Sequence, residues 1–276
     1  MPARVGIDIG GSKMLMLSDI DGRILERRIG TGIGSTRQAI AGEISAFLAS
    51  LSPRPVSIGI AVPGLVRNGR VEDSDVLPEL VGWSPADEIG QGAVIAVLND
   101  AEAALVEEAS ELRADATAAI VVVGTGIGAA FQIDGRICRG ASGWAGELGY
   151  SPLSCAGEVR TLDQLASGAA ILRQVGLEPT AIQVAAEAGD ERVEAVLTAA
   201  GEALGLALAT LVNLLNPELI SMFGGTLRYP KYVDAALAAA RRHSHPKLFA
   251  NCTIRPAPGD AHLVARGAMR LARQSR

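Results

Sequence analysis

The stretch Val5-Gly-Ile-Asp-Ile-Gly-Gly-Ser-Lys13, running on to Ile20-Asp-Gly-Arg-Ile24, decides how this chain is read. Val5 to Ile9 is a short apolar run of β character that stops at Gly10-Gly11, and Met14 to Asp19 is a second. Asp19 to Gly22 reads as a tight turn, because Asp-Gly supplies positive φ at little cost, and Ile24 to Ile29 as the returning strand. The same order then starts again. Ala118 to Val123 is a strand, Gly124-Thr-Gly-Ile-Gly128 a glycine loop, Ala129 to Ile133 a strand, Asp134-Gly135 a turn and Arg136 to Arg139 another strand. Within it Ile133-Asp-Gly-Arg-Ile137 repeats the residues of Ile20 to Ile24 at an offset of 113. The repeat predicts two related α/β halves meeting near residues 112–117, hence domains 1–117 and 118–276, with the final helix, 261–272, a candidate to pack back on the first.

Outward from these anchors, apolar spacing predicts a helix over 37–51, strands Val56 to Val62 and Val94 to Leu98, and a helix over 101–111. In the second half a loop-rich stretch covers 140–168. A long helical region follows over 190–215, then a strand over Glu218 to Phe223, a helix over 231–243, a short strand Cys252 to Arg255 and the final helix. With 49% apolar residues the chain can bury a sizeable core, which argues against disorder. Its 25 Lys and Arg face 30 Asp and Glu, a balance that does not suit a nucleic-acid surface. The most apolar run, Ala203 to Leu215, is shorter than the roughly 20 residues a membrane span needs and ends at Asn216-Pro217, so a buried helix is expected and no membrane partner. Cys138, Cys155 and Cys252 show no redox or zinc spacing, and no secretory signal opens the chain. The expectation is a cytoplasmic protein with reduced thiols.

Glycine loops after strands can aim successive backbone N–H groups at an anion. Three occur here, Gly10-Gly11-Ser12, Gly124 to Gly128 and Gly224-Gly225-Thr226. The P-loop pattern is absent. Gly124-Thr-Gly-Ile-Gly-Ala129 fits the loose dinucleotide pattern, but that pattern needs a helix next, and Ala130-Phe-Gln-Ile reads as a strand. Asp8 places a carboxylate inside an apolar strand, which is costly unless a magnesium ion or Lys13 offsets it. Asp100 stands at a strand-to-helix junction, where two readings stay open: the cap of helix 101–111, or a catalytic carboxylate.

Taken together, Asp8-Ile-Gly-Gly-Ser-Lys13, Pro63-Gly64, Asn99-Asp100, Gly124 to Gly128, Gly143-Trp-Ala-Gly-Glu-Leu-Gly149, Asn216-Pro217-Glu218 and Gly224-Gly225 resemble the ROK family of bacterial sugar kinases and repressors. The resemblance runs in order from residue 5 to about 226 and is closest to a glucokinase or an N-acetylhexosamine kinase. It implies an α/β fold of two duplicated ribonuclease-H-like domains of the actin-like ATPase kind, with an interdomain cleft. It also implies ATP and Mg2+ as cofactors, a small-molecule sugar as substrate, and leaves a homodimer open. Residue by residue, Asp8 would act on the magnesium–phosphate complex, Gly10, Gly11, Ser12, Lys13, Thr125 and Gly126 on phosphates, and Gly224 and Gly225 beside the adenosine. Gly64, Asn99, Glu147 and Asp163 would meet the sugar, and Asp100 would be the general base.

The chain departs from the family pattern in ways that matter. A zinc-binding CxCGxxGCxE segment is reduced to Ser154-Cys-Ala-Gly-Glu-Val-Arg-Thr-Leu-Asp163, and Tyr150 stands where a histidine is expected. A lone thiolate cannot make a four-ligand site, so no structural zinc is expected. Asp163 replaces a glutamate and could instead cap a helix over 164–172. Glu79 replaces the asparagine of a Pro-Asn-Leu sugar contact. His243 and His245 follow Arg241-Arg242 on a solvated helix end rather than forming a metal pair. With four residues before Val5, a repressor with an N-terminal DNA-binding segment is not expected. A catalytically degenerate sugar-binding or regulatory protein is the alternative to a kinase.

Overall fold

The first sheet is built mostly from strands buried along nearly their whole length, with an exposed strand at one edge. In a computed structural model, which describes residues 3–89, 92–155 and 157–274, the chain divides into two compact units. The first comprises residues 1–111, 141–144 and 259–276, and the second 112–140 and 145–258. The first unit opens with an antiparallel meander, β1 (Ala3–Ile9), β2 (Lys13–Ile20) and β3 (Arg23–Gly30). Helix α1 (Arg37–Ala49) leads to β4 (Pro55–Val62), and the short pair β5 (Leu65–Arg67) and β6 (Arg70–Asp73) with α2 (Pro85–Ile89) leads to β7 (Val94–Asn99) and α3 (Asp100–Glu108). Strands β4 and β7 run parallel to β1, so the sheet order is β3-β2-β1-β4-β7. Ile7, Ile9, Met14, Met16, Ile58 and Ile60 bury one core with Ile44, Phe47 and Trp83.

The second unit repeats the plan. Strands β8 (Ala118–Val123), β9 (Ile127–Ile133) and β10 (Arg136–Ile137) form the meander. The hairpin β11 (Pro152–Cys155) and β12 (Glu158–Thr161) and helices α4 (Leu162–Ala166), α5 (Gly168–Val175), α6 (Pro179–Glu187) and α7 (Glu191–Leu215) come next. Strand β13 (Leu219–Phe223), helices α8 (Pro230–His243) and α9 (Pro246–Asn251), and strand β14 (Thr253–Pro256) complete it. The order β10-β9-β8-β13-β14 has the same parallel and antiparallel pairings as the first sheet. The repeated turns match in their backbone, with φ of 50° at Asp21 and 49° at Asp134, each followed by a glycine at positive φ. The stretch 140–168, expected to be loop-rich, holds the β11–β12 hairpin and α4.

Helix α7 is capped by Asp190, whose side chain accepts the N–H groups of Arg192 and Val193, and it ends at Asn216 in the left-handed conformation before Pro217. It is long and apolar enough to pass for a membrane span, but Val193, Leu197, Leu204, Leu208 and Val212 bury it in the second core. The chain's last helix, α10 (Leu263–Gln274), belongs to the first unit. It lies against β1 and β4 so closely that a Cβ on Gly6 or Gly59 would fall on the carbonyls of Ala265 or Ala268. Only glycine at both strand positions permits that approach.

Candidate active site

Open α/β sheets collect ligands beyond the carboxyl ends of their parallel strands. In the first unit those ends are Asp8 and Ile9 of β1, Val62 of β4 and Asn99 of β7, with Gly64 and Asp100 just past them. The turn from β1 to β2 is closed by the Gly10 N–H donating to the Lys13 carbonyl at 2.9 Å. Thr31 braces it from outside, its N–H on the Ser12 carbonyl and its hydroxyl on that of Gly10. Gly11 is half-buried in this turn, and Ser12 and Lys13 are exposed.

Burial pushes the Asp8 carboxyl up to about 7, the negative charge of Asp100 adds to the rise, and Lys13 opposes it. Burial likewise raises Asp100, against hydrogen bonds from backbone N–H groups and from Asn99. Two carboxylates in one desolvated place suit a divalent cation or its phosphate complex, so the residues present fit magnesium.

The helix cap, one of the two readings open for Asp100, belongs to its neighbour. Asn99 has the extended backbone of a cap, its Oδ1 accepts the Ala101 N–H at 2.7 Å, and its Nδ2 donates to the Gly64 carbonyl at 2.8 Å. Asp100 is the first helical residue, and its Oδ1 accepts the Ala101 N–H at 2.8 Å. Asn99 therefore fixes both Gly64 and the direction in which Asp100 leaves the strand.

In the second unit the loops after β8 and β13 lie side by side. Gly224, at φ 123°, has no room for a Cβ beside the Val123 backbone, and the Thr226 hydroxyl donates to the Gly124 carbonyl. The first turn of α5 takes the loop's carbonyls, with the Gly168 N–H on Gly124 at 2.8 Å and the Ala169 N–H on Thr125 at 3.2 Å. Gly225 is held by Arg228, whose Nε donates to its carbonyl.

Glu147 follows Gly146, whose carbonyl accepts the Ala129 N–H at 2.8 Å and so ties the motif to β9. Its carboxyl is exposed, and is raised by partial burial and then by the charge of Asp163. Asp163 stands in the first turn of α4 but does not cap it. Thr161 and Gln164 form a reciprocal capping box there, and a second cap, Ser167, starts α5, so the expected helix over 164–172 is two helices. The Asp163 carboxylate instead accepts the Ile127 N–H at 2.7 Å, and burial raises it against that bond. Thr161-Leu-Asp-Gln164 was readable as a capping box; the grip of Gly168, Ala169 and Thr226 on the glycine loop has no comparable local signal.

Among the described residues, no three His, Cys, Asp or Glu side chains group as metal ligands would. The side chain of Cys155 lies outside the described residues. His243 and His245 are exposed, and His245 caps α9 through Nδ1. Tyr150 and Glu79 are exposed as well.

Comparison with known proteins gives the same family across the chain. The ROK family matches residues 4–275. The bifunctional enzyme NanE/NanK of Brucella melitensis is 31% identical over 255 residues, 87% of this chain and 48% of that protein. The chain thus spans about half the length of the bifunctional relatives it matches. N-acetylmannosamine kinase of Vibrio cholerae is 26% identical over 287 residues, covering 96% of this chain and 97% of that one. A ROK family glucokinase from Streptomyces griseus, solved in complex with glucose and AMPPNP, is 25% identical and covers 99% of both chains with a TM-score of 0.77. The duplicated α/β architecture of the actin-like ATPase kind is the fold shared with such structures.

Proposed function

The chain belongs to the ROK family, and from that premise we propose that it is an ATP-dependent sugar kinase, transferring the γ-phosphate to a hydroxyl of a hexose or N-acetylhexosamine. The observation that carries the reading is the pair Asp8 and Asp100 at the strand ends, both raised by burial, with Lys13 beside Asp8. Phosphoryl transfer needs positioning and charge neutralisation more than covalent help from the protein.

Each unit has its part in this reading. Asp8 and Lys13 hold the metal and phosphate side of the nucleotide, and the Gly10–Ser12 turn offers N–H groups to phosphate oxygens. Magnesium, when bound, supplies neutralisation of the charge that builds up on those oxygens. Thr125 and Gly126 offer further N–H groups, and Gly224 and Gly225 leave room for the adenosine. In the first unit Asn99, which pins Gly64, and in the second Glu147 and the second oxygen of Asp163, orient sugar hydroxyls. Asp100 takes the proton of the attacking hydroxyl as its oxygen bonds to the γ-phosphorus and the bond to ADP breaks. A raised carboxyl is a better base than an ordinary one, provided it is ionised in the complex. A cation at Asp8 favours that state.

The test is ADP release, coupled to a reporter, over a panel of N-acetylmannosamine, N-acetylglucosamine, glucose and mannose. N-acetylmannosamine is the first to try, because relatives matching nearly the whole chain carry it in their names. Sugar-dependent ADP release is expected; binding of a sugar with no release from any would leave the degenerate sugar-binding reading instead. The proposal includes no structural zinc, and about one zinc per chain by elemental analysis would count against that part.

A further inference from the structure

The short segment from Asp163 to Ala169 grips the glycine loop after β8 at three residues. The Gly168 and Ala169 N–H groups hold the carbonyls of Gly124 and Thr125, and Asp163 Oδ1 holds the Ile127 N–H at 2.7 Å. The Ser167 hydroxyl donates back to the Asp163 carbonyl at 2.7 Å, which fixes the turn between α4 and α5. The carboxylate itself is wedged. A Cβ on Gly126 would stand 3.5 Å from Oδ2, and one on Gly149 would stand 2.5 Å from Oδ1. It therefore separates the loop on one side from the end of the Gly146–Gly149 segment, which carries Glu147, on the other.

From this lodging we infer that Asp163 is a positioning residue for the nucleotide, holding the Thr125-Gly126 turn in place through Oδ1 and leaving Oδ2 for the acceptor. The inference rests on the kinase reading above. A loop with glycine at three of its five positions has wide backbone freedom, and freezing it at the moment of binding would weaken affinity. The Ile127 bond removes that freedom in advance. A carboxylate beside a loop that is to hold phosphates would repel them, so the strut needs the acceptor oxygen and not the charge. That distinction separates positioning from a simple electrostatic role.

The experiment is calorimetric titration of Mg2+–AMPPNP into wild type, Asp163→Ala and Asp163→Asn, with sugar KM measured alongside. The asparagine oxygen can still accept the Ile127 N–H, whereas alanine cannot. Asp163→Ala is expected to weaken AMPPNP by about tenfold, the usual cost of fixing one freed backbone residue at the moment of binding. Asp163→Asn should stay within about twofold of wild type or bind more tightly, while sugar KM rises in both variants. If Asp163→Ala fails to melt cooperatively, Asp163→Ser, too short to reach Ile127, takes its place. Equal weakening by both variants, or none by either, overturns the inference. A wild type that binds no AMPPNP overturns it together with the kinase reading, and that result is recognised without reference to the variants.

Discussion

Asp8 and Asp100 are two carboxylates that the folded first unit would rather keep protonated, and the consequences can be measured separately. Asp100→Asn keeps the volume and the weak bond to the Ala101 N–H but removes the proton acceptor. Turnover should fall by about 10²–10⁴-fold, the usual worth of a general base, with sugar affinity nearly unchanged. A variant keeping more than half of wild-type kcat would place the base elsewhere. Asp8 makes a statement about stability as well. Its carboxyl moves from 3.8 to about 7 on folding, so between those values the folded protein binds more protons than the unfolded one. Stability therefore falls as pH rises through that window, and above about 7 the cost is present in full. Asp8→Asn removes an ionisable group that the fold disfavours. The ligand-free variant should melt at a higher temperature than wild type at pH 8, the gap closing towards pH 4, while nucleotide-dependent turnover is lost. A melting gap independent of pH would show that Asp8 is not held in this way.

Among the elements, glycine positions separate close packing from open surface. Gly59 of β4 meets the α10 carbonyl of Ala268, whereas Gly42 of α1 has nothing within 4 Å of where its Cβ would go. Gly59→Ala should force α10 outward and cost about 1–3 kcal/mol, as overpacking does. Gly42→Ala, exposed and mid-helix, should stabilise by about 0.5–1 kcal/mol. Opposite shifts in denaturation midpoint are the expected result, and shifts of one sign would contradict the α10 contact. The strands that carry the site were legible because Val5 to Ile9, Val94 to Leu98 and Ala118 to Val123 are apolar runs ended by glycine or Asn-Asp. The pairs β5–β6 and β11–β12 were not, since Arg70 to Asp73 and Glu158 to Thr161 alternate too briefly to show a period. Asn99 was expected to touch sugar, and for Asp100 a cap was one of two local readings beside the catalytic one. The structure gives the cap to Asn99, because its extended backbone lets Oδ1 reach forward to Ala101 while Asp100 is already helical.

At the scale of the molecule, five repeated residues and two matching turns announced the duplication, and the last helix was a candidate to pack back on the first half without any local signal of the face it covers. Leu263 to Gln274 is separated in sequence from the strands it covers by the whole second unit. Its partners are recognisable only in space: Leu15 and Leu17 of β2 bury against Ala265, and Gly267 lies on the Ala103 carbonyl of α3. Arg270 and Arg266 reach the part-buried Glu107 of α3 at 2.9 and 3.3 Å, so ion pairs add to the apolar attachment. Removing residues 259–276 would strip one face of the first sheet, including the backbone that fills the space above Gly6 and Gly59. Among the described residues, the second core takes its members from Ala119 to Ala240 with partners as far as Ile254, and none from α10. The truncated chain should therefore lose amide protection in β1, β2 and β4 while β8, β13 and α7 keep theirs, as hydrogen exchange would show. Asp8 sits in β1, so phosphate-side binding should fail in the same protein whose glycine loop after β8 is still ordered. Unchanged protection in β1 and β4 would mean that the first unit does not depend on α10, and the close approach at the two glycines would then have no energetic weight.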